Sequence, residues 1–414
     1  MLNKSVRKDS VCRVCRGVNL DTVLKLADTP LEDAYLRVDK FNTEQPTFPL
    51  ELAKCSNCGY VFLPYVVYPE ISYSNYVYKS SITVGLGEHY KDYVKSLILE
   101  YSIPANELAV DIGSNDGLML RAFKAGELEP IGVEPAPAIA NHSNSQGFLT
   151  INSYFDFKVK NQIEQNYGRA RLITANYMFA NVDDLSDFLN NVKGLLNSEG
   201  LFVVQTGYHP DQFRGMMFDY IYHEHFSYFT LNVLIKLFDL ADLQIINAHK
   251  VSPKGGSLRV VAQIKGGKYP VSYNVDKICQ EENNEDKDFF KNFDLKINLS
   301  RDRIISLLTE IKSSNKSIVG FGASHSTTTL LYHFKLAPYL DYLVDDNIAK
   351  HGTFSPGVHI PVYPFEKIYE SPPDYILILA WQHAESIKSR HTDYLSNGGA
   401  WIVPLPDLQV IKTK

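Results

Sequence analysis

No stretch of this chain is apolar enough, for long enough, to cross a bilayer. The longest apolar runs, such as Tyr375 to Trp381, are strand-length. The opening residues, MLNKSVRKDS, lack the apolar centre of a signal peptide. Together these absences predict a soluble cytoplasmic protein with no membrane partner. Lys/Arg-rich runs are missing too, and the formal net charge is -6, so no nucleic acid is expected as a partner. Repeats and low-complexity segments are absent. Cysteine is scarce, with five in 414 residues, and the placement of four of them is correspondingly informative.

Cys12 and Cys15 form one Cys-x-x-Cys, Cys55 and Cys58 a second, and thirty-nine residues separate the pairs. Two residues between thiolates let one tight turn aim both sulfurs at one ion. Two such turns complete a tetrahedral all-sulfur shell, for which zinc is the default occupant. Four thiolates leave no open position for water, so the zinc is expected to be structural. Disulfides are the competing reading, and a reducing compartment disfavours them. Cys279 lies among charged residues and has no such companion.

At 414 residues the chain is too long for one ordinary core, and a globular balance of apolar and charged residues predicts two or three domains. Residues 1–72 hold the cysteine pairs and little periodicity. A segment this small needs a metal to be stable. Tyr-rich YSNYVYKSS (Tyr73 to Ser81) follows, then an amphipathic stretch from Gly87 to Tyr101 that predicts a helix. From Glu107 strands alternate with helices: ELAVDIG, PIGVEPA, LITANYMFANV and LFVVQTGY read as strands, and VDDLSDFLNNVKGLL as an amphipathic helix. That alternation predicts a doubly wound parallel sheet over 73–250. A further strand, SLRVVAQI, is read with this series although it lies past the boundary, in the last segment, 251–414. There SIVGFGAS opens a second α/β series continued by LDYLVDDN, YILILAW and GGAWIVPLP.

The turn after the first strand reads Asp111-Ile-Gly113-Ser-Asn115-Asp116-Gly117. Gly113 allows a tight turn with room for a ligand against it. Glu134 ends the next strand, where one carboxylate can hold two ribose hydroxyls. A dinucleotide site would want a third glycine and a helix N-terminus free for pyrophosphate. Asn115 and Asp116 occupy the turn instead. An acidic residue there repels phosphate and suits a cofactor with a cationic, amine-bearing tail, namely S-adenosylmethionine.

Residues 218–230, FDYIYHEHFSYFT, crowd Tyr220, Tyr222, His223, Glu224, His225 and Tyr228 just past a strand end, where α/β sheets bind ligands. His-Glu-His lacks the i, i+4 spacing of a metalloprotease helix, so no metal is expected there. Imidazole, carboxylate and phenol are what proton transfer needs: a base near neutral pKa, an orienting group and a donor for an oxyanion. In the last segment, the backbone N–H groups of GFGASHS (Gly320 to Ser326) could hold a diphosphate. The incomplete glycine motif argues against NAD. Asp345 and Asp346 at the next strand end either contact a ribose or cap a turn.

These features, with GGSLR (Gly255 to Arg259), VDDN (Val344 to Asn347) and SPGVHIPV (Ser355 to Val362), together resemble the sugar C-methyltransferases of bacterial deoxysugar pathways over essentially the whole chain. The resemblance implies a zinc module, a class I methyltransferase domain and a C-terminal Rossmann-like domain that holds a nucleotide-linked keto-sugar. It implies methylation of a ring carbon, commonly C3, beside a C4 ketone, through an enolate. By motif position His225 becomes the general base or proton relay, Tyr222 a donor or alternate base, Glu224 the group orienting that pair, and Tyr76 a further tyrosine of the site. Cofactor contacts are expected from Tyr78, Ser80, Asp111, Gly113, Asn115, Asp116, Gly117, Glu134, Pro135 and Asn176. Substrate contacts are expected from Lys254, Gly322, Ala323, Ser324 and His325. Many members have histidine at the positions of Asn181 and Lys254. Asparagine donates a hydrogen bond but shuttles no proton, which shifts proton handling toward Tyr222 and His225 or marks a different substrate. Competing readings are a sugar O-methyltransferase on the same scaffold and a zinc-ribbon binding module with a degenerate methyltransferase domain. A monomer or weak homo-oligomer is expected.

The paired cysteines generate the first prediction. Elemental analysis of freshly purified protein is expected to find one zinc per chain, and Cys12→Ser to lower that occupancy.

Overall fold

The computed structural model describes residues 5–68 and 85–412. Tyr76, Tyr78 and Ser80, three of the expected site residues, lie outside the described residues. Among the described residues no helix is long and apolar enough to cross a membrane.

The central sheet has seven strands in the order Leu243–Val251, Ser257–Ile264, Leu196–Gly207, Ala170–Asn176, Leu108–Ile112, Glu129–Val133 and Thr150–Ile151. The last five are mutually parallel, and the first two form an antiparallel hairpin at one edge. Leu172, Ile173, Ala175 and the run Leu201 to Val204 are all buried. That is the continuous apolar pattern of strands covered on both faces. The chain builds outward from Leu108–Ile112 in one direction, then crosses back to lay Ala170–Asn176 on its other side. That reversal opens a crevice at the C-terminal ends of these two strands, where α/β sheets take ligands. Helices cover the faces, and their first turns are capped by side chains: Asp156 accepts from Val159 N–H, Asp184 from Asp187 N–H and Thr230 from Val233 N–H.

The hairpin straddles the expected boundary at residue 250. Val251 pairs with Ser257 and Leu243 with Ile264, so SLRVVAQI belongs to the central sheet. Its alternation identifies a strand but says nothing of which sheet receives it. The helices Tyr273–Asn283 and Phe289–Ser313 then lead to a six-stranded sheet in the order Val362–Pro364, Leu343–Asp345, Ile318–Phe321, Tyr375–Ile378, Ala400–Val403 and Gln409–Lys412. It is parallel except for the last strand. The long helix buries Phe293, Ile297, Ile304, Leu308 and Ile311 along one face.

The N-terminal module is a small antiparallel sheet, Leu20–Lys25, Glu51–Cys55 and Val61–Phe62, completed by Ser227–Tyr228 from the tyrosine-histidine segment. Its four cysteine sulfurs lie within 4.8 Å of one another. The Cys12–Cys58 and Cys15–Cys55 Sγ separations are 3.6 and 3.5 Å. A disulfide would need about 2.05 Å. A tetrahedral zinc with Zn–S of about 2.3 Å spaces its sulfurs about 3.8 Å apart. Burial pushes the Cys12 thiol up to about 11, so thiolates gathered here call for a cation. The residues fit a closed structural zinc site.

A buried ion pair ties the module to the centre. His223 is fully buried; its backbone N–H and its Nδ1 both meet Glu32 Oε1, at 3.1 and 2.6 Å, and its Nε2 faces the Pro49 carbonyl at 3.3 Å. Two ring nitrogens, each facing an acceptor, mark an imidazolium. Burial opposes the charge, but the Glu32 carboxylate outweighs it and raises the pKa of His223. Thr328 and Thr329, on the helix His325–His333, donate to the Glu32 and Ile221 carbonyls, so the C-terminal domain closes on the same joint.

Glu32→Gln strands that imidazolium, and breaking a buried pair on one side costs about 3–5 kcal/mol. The denaturant midpoint is expected to fall accordingly. The pKa of His223 is raised on folding, so the pair's contribution is complete below the ordinary histidine value and is lost as pH climbs through the raised one. The gap between wild type and variant is therefore expected to narrow in alkali.

Candidate active site

Two adjoining cavities open at the crevice. The first, about 290 Å³, is lined by Gly113, Asn115, Glu134, Pro135, Asn176 and Met178 among others. The second, about 260 Å³, is lined by Tyr222, Glu224, His225, Ser324, His325 and Gln382 among others. Tyr177, Asn181 and Lys254 belong to both walls. Anything passing between the cavities passes these three side chains.

The first cavity is framed by the glycine turn. Gly113 has φ +72, and a Cβ there would come within 2.7 Å of Met178 Cγ. The Asn115 and Ala136 N–H groups donate to the two oxygens of Glu134, at 3.0 and 2.9 Å. The carboxylate thereby holds a fixed orientation on the cavity wall, and burial raises its pKa against these bonds. Asp111 and Gly117 stand behind the wall. Asp111 accepts from Thr174 Oγ1 at 2.5 Å and Asn176 Nδ2 at 3.2 Å, burial pushes it up to about 7, and it aims Asn176 at the cavity. Gly117, at φ +82, lets the turn pack on Ser143: a Cβ would sit 2.8 Å from its Oγ. Asp116 is also buried outside the wall. Both Asp111 and Gly117 shape the turn rather than the cavity surface.

The second cavity holds the tyrosine-histidine cluster. Tyr222 Oη lies 2.9 Å from His225 Nε2, and the rings are 4.1 Å apart. Burial, then the charges of Lys254 and His325, push His225 down to about 3. The imidazole is neutral; its one ring N–H is taken by the Tyr220 carbonyl, so Nε2 accepts the Tyr222 hydroxyl. Glu224 does not orient this pair, contrary to expectation. Its Oε1 lies 3.5 Å from His325 Nε2, while Asp33 Oδ1 of the N-terminal module lies 3.8 Å from His325 Nδ1. Burial disfavours the cation, but Asp33 and Glu224 prevail and carry His325 up to about 9. The backbone explains the difference: the segment makes a turn here, closed by the His225 N–H donating to the Tyr222 carbonyl at 3.0 Å, which brings Tyr222 and His225 together while Glu224 meets the C-terminal domain. His223, the other histidine, is the buried joint described above.

The GFGASHS turn differs from expectation as well. Gly322 N–H donates to the Val344 carbonyl, Ala323 N–H to Asp345 Oδ2 at 2.6 Å, and Ser324 N–H to Thr327 Oγ1. These three amides are therefore satisfied within the fold. Asp345 fills the cradle and caps the turn, accepting also from Asn347 N–H, and Asp346 pairs with Arg390. Gly322 and Ala323 stay off the cavity wall, whereas Ser324, His325 and Ser326 line it.

Several lining residues escaped the sequence reading. Gln382 and His383 follow the strand Tyr375–Ile378, so the strand-end rule applied to YILILAW would have found them. Asp219 Oδ2 accepts from Trp381 Nε1 and Gln382 Nε2, both at 2.9 Å, and sets that loop. Its other oxygen is buried without a hydrogen-bond partner, and burial pushes Asp219 up to about 7. Tyr177 directly follows Asn176, but nothing in its sequence context distinguishes it.

Opposite shifts on His225 and His325 generate a titration prediction. NMR of the histidine ring signals is expected to show His325 protonated at neutral pH and losing its proton near 9, with His225 neutral down to strong acid. His325 contributes stability that is complete below the ordinary histidine value and is lost as pH rises through about 9. Glu224→Gln removes one of its two carboxylates and should lower that midpoint.

Comparison with known proteins agrees with this architecture. A zinc binding domain family matches residues 12–73, a methyltransferase domain family residues 86–248, and the C-methyltransferase C-terminal domain family residues 252–406. The chain is 30% identical over 413 residues to the C-methyltransferase NovU of Streptomyces niveus, covering 99% of this chain and 98% of that protein. Solved structures similar to part of it include an S-adenosylmethionine-dependent methyltransferase from Clostridium acetobutylicum, at 12% identity and TM-score 0.35, covering 43% of this chain and 92% of the other. The CcbJ methyltransferase of Streptomyces caelestis matches at 11% identity and TM-score 0.33, covering 42% and 90%. With all three domains matched in order and NovU aligned along nearly its whole length, the chain belongs to the S-adenosylmethionine-dependent C-methyltransferases that carry an N-terminal zinc-binding domain.

Proposed function

We propose that this protein C-methylates a nucleotide-linked keto-deoxysugar, at C3 beside a C4 ketone, through an enolate. S-adenosylmethionine supplies the methyl group as an electrophilic sulfonium. The first cavity is the fitting place for it: Glu134 offers an oriented carboxylate to the ribose hydroxyls, Gly113 leaves space beside it, and Asn176 is held toward the interior. The second cavity takes the sugar, and the wall of Tyr177, Asn181 and Lys254 marks the place of transfer.

The observation that carries this reading is the 2.9 Å contact between the Tyr222 hydroxyl and a neutral His225. A C–H beside a carbonyl is weakly acidic and needs a base within reach. The Tyr222 oxygen faces the cavity with its proton directed at His225 Nε2. As the substrate proton reaches that oxygen, the phenolic proton passes to the imidazole, which leaves the enolate carbon to attack the methyl group. Lys254 and His325 are the charges that depress His225. An anionic diphosphate seated against His325, Ser324 and Lys254 offsets them and restores basicity when substrate binds. Attack by a hydroxyl would need a base but no such relay.

Incubation with nucleotide-linked 4-keto sugars in D2O tests the reading. The wild type is expected to exchange the proton beside the ketone and to place the methyl group on carbon, both read by NMR. His225→Ala is expected to slow exchange and methylation by about 10²–10⁴-fold. A methyl group found on oxygen would refute the enolate route.

A further inference from the structure

Tyr177 lies on the wall shared by the two cavities, and three observations single it out. Its φ is +58, a left-handed conformation that is an outlier for an aromatic residue. Such conformations persist where surrounding bonds over-determine them, and they gather at functional sites. Here Gln205 grips Tyr177 at both ends: the Gln205 carbonyl accepts the Tyr177 N–H at 2.8 Å, and Gln205 Nε2 donates to the phenolic oxygen at 2.9 Å. Gln205 itself is fully buried and cannot turn over. Arg259 Nε donates to its Oε1 at 2.9 Å, and an arginine has no acceptor to offer a flipped amide. The Arg259 guanidinium is in turn held 3.6 Å above the Tyr93 ring.

The chain Tyr93–Arg259–Gln205–Tyr177 therefore places an N–H donor on the phenolic oxygen. Ser257 Oγ is a second, weaker donor to the same oxygen at 3.3 Å, its closer acceptor being the Pro253 carbonyl at 2.8 Å. A phenol with a donor on its oxygen meets a ligand as a donor itself. Lys254 strengthens that role. Its ammonium sits 4.2 Å from the centroid of the Tyr177 ring, and Lys254 too is left-handed, at φ +54. A cation over the ring favours the electron-rich state of the phenol and of any oxyanion beside it.

We infer that Tyr177 is a catalytic residue whose phenol donates a hydrogen bond to the oxyanion developing on the acceptor's carbonyl oxygen. Gln205 and Arg259 are positioning residues that act through it. Tyr177 keeps its own proton in this step: the substrate proton passes to Tyr222 as the C–H bond breaks, its electron pair moves onto the carbonyl oxygen, and the Tyr177 hydroxyl stabilises the charge there. The division of labour with Tyr222 and His225 follows, since they accept the proton while Tyr177 holds the charge left behind. The role rests on the enolate reading of the same site.

Two substitutions test it. Tyr177→Phe keeps the ring, the backbone and the contact with Lys254 but removes the donor. Loss of one such donor lowers kcat by about 10²–10³-fold, and D2O exchange beside the ketone is expected to fall with it, at unchanged S-adenosylmethionine affinity by calorimetry. Gln205→Glu preserves the partner of Arg259 but turns the donor on the phenol into an acceptor, which draws the Tyr177 proton away from substrate. It is expected to reproduce the loss, and the double variant to be no slower than the slower single one. Full kcat in Tyr177→Phe with the methyl group on carbon overturns the inference alone. A loss explained entirely by weaker cofactor binding does the same. A methyl group on oxygen overturns the enolate reading and this role together.

Discussion

One buried ion pair sets the geometry of the whole site. His223 meets Glu32 where the zinc module, the central sheet and the helix His325–His333 converge. Tyr222, Glu224 and His225 are its immediate neighbours in the chain. Immobilising His223 leaves their side chains few places to go, with Tyr222 and His225 at the cavity and Glu224 on the C-terminal domain. The strand Ser227–Tyr228 then joins the sheet of the zinc module, so the segment is anchored on both sides of its reactive residues. A zinc held by the four cysteines would brace the sheet that holds this segment. A module of this size has little apolar area of its own, and Leu24, Leu26, Leu50 and Leu52 bury theirs in a core shared with the C-terminal domain.

Within the site, two histidines close to the same tyrosine are driven apart electrostatically. His225 stacks 4.1 Å from Tyr222 and is held neutral by burial and by nearby cations. His325 stacks 5.3 Å from the same ring and is held charged by Asp33 and Glu224. Separating the pKa values of neighbouring groups is how one pocket comes to contain both a proton acceptor and a fixed cation. Each carboxylate of that balance comes from a different part of the chain: Asp33 from the zinc module and Glu224 from the central domain.

Much of this was legible in the residues. The cysteine pairs announce their metal because ligand spacing is local. The strand-turn-helix at Asp111 to Gly117 and the acidic strand end at Glu134 announce a cofactor crevice for the same reason. The failures are informative in the opposite way. Glu224 was expected, from its place in the motif, to orient Tyr222 and His225, yet its partner is one hundred and one positions away. The GFGASHS turn has the composition of an anion cradle, but Asp345 from the neighbouring strand occupies it. Asp111 and Gly117 belong to the motif without belonging to the cavity wall.

What the sequence determined by itself was everything governed by spacing and period: a closed metal site, alternating strands and helices, a turn that accepts a ligand, and a cluster able to move protons. These are properties of short segments, and elementary stereochemistry fixes them before any packing occurs. Tertiary structure alone decided which partner each charged side chain found, and with it which histidine is neutral and which is charged. It also decided that Tyr177, Asn181 and Lys254 form one wall, although residues 181 and 254 lie far apart in the chain. The reason is physical. Burial and Coulomb energies depend on distances between elements, and those distances exist only once the sheets, the hairpin Leu243–Val251 and Ser257–Ile264, and the zinc module have closed around the crevice.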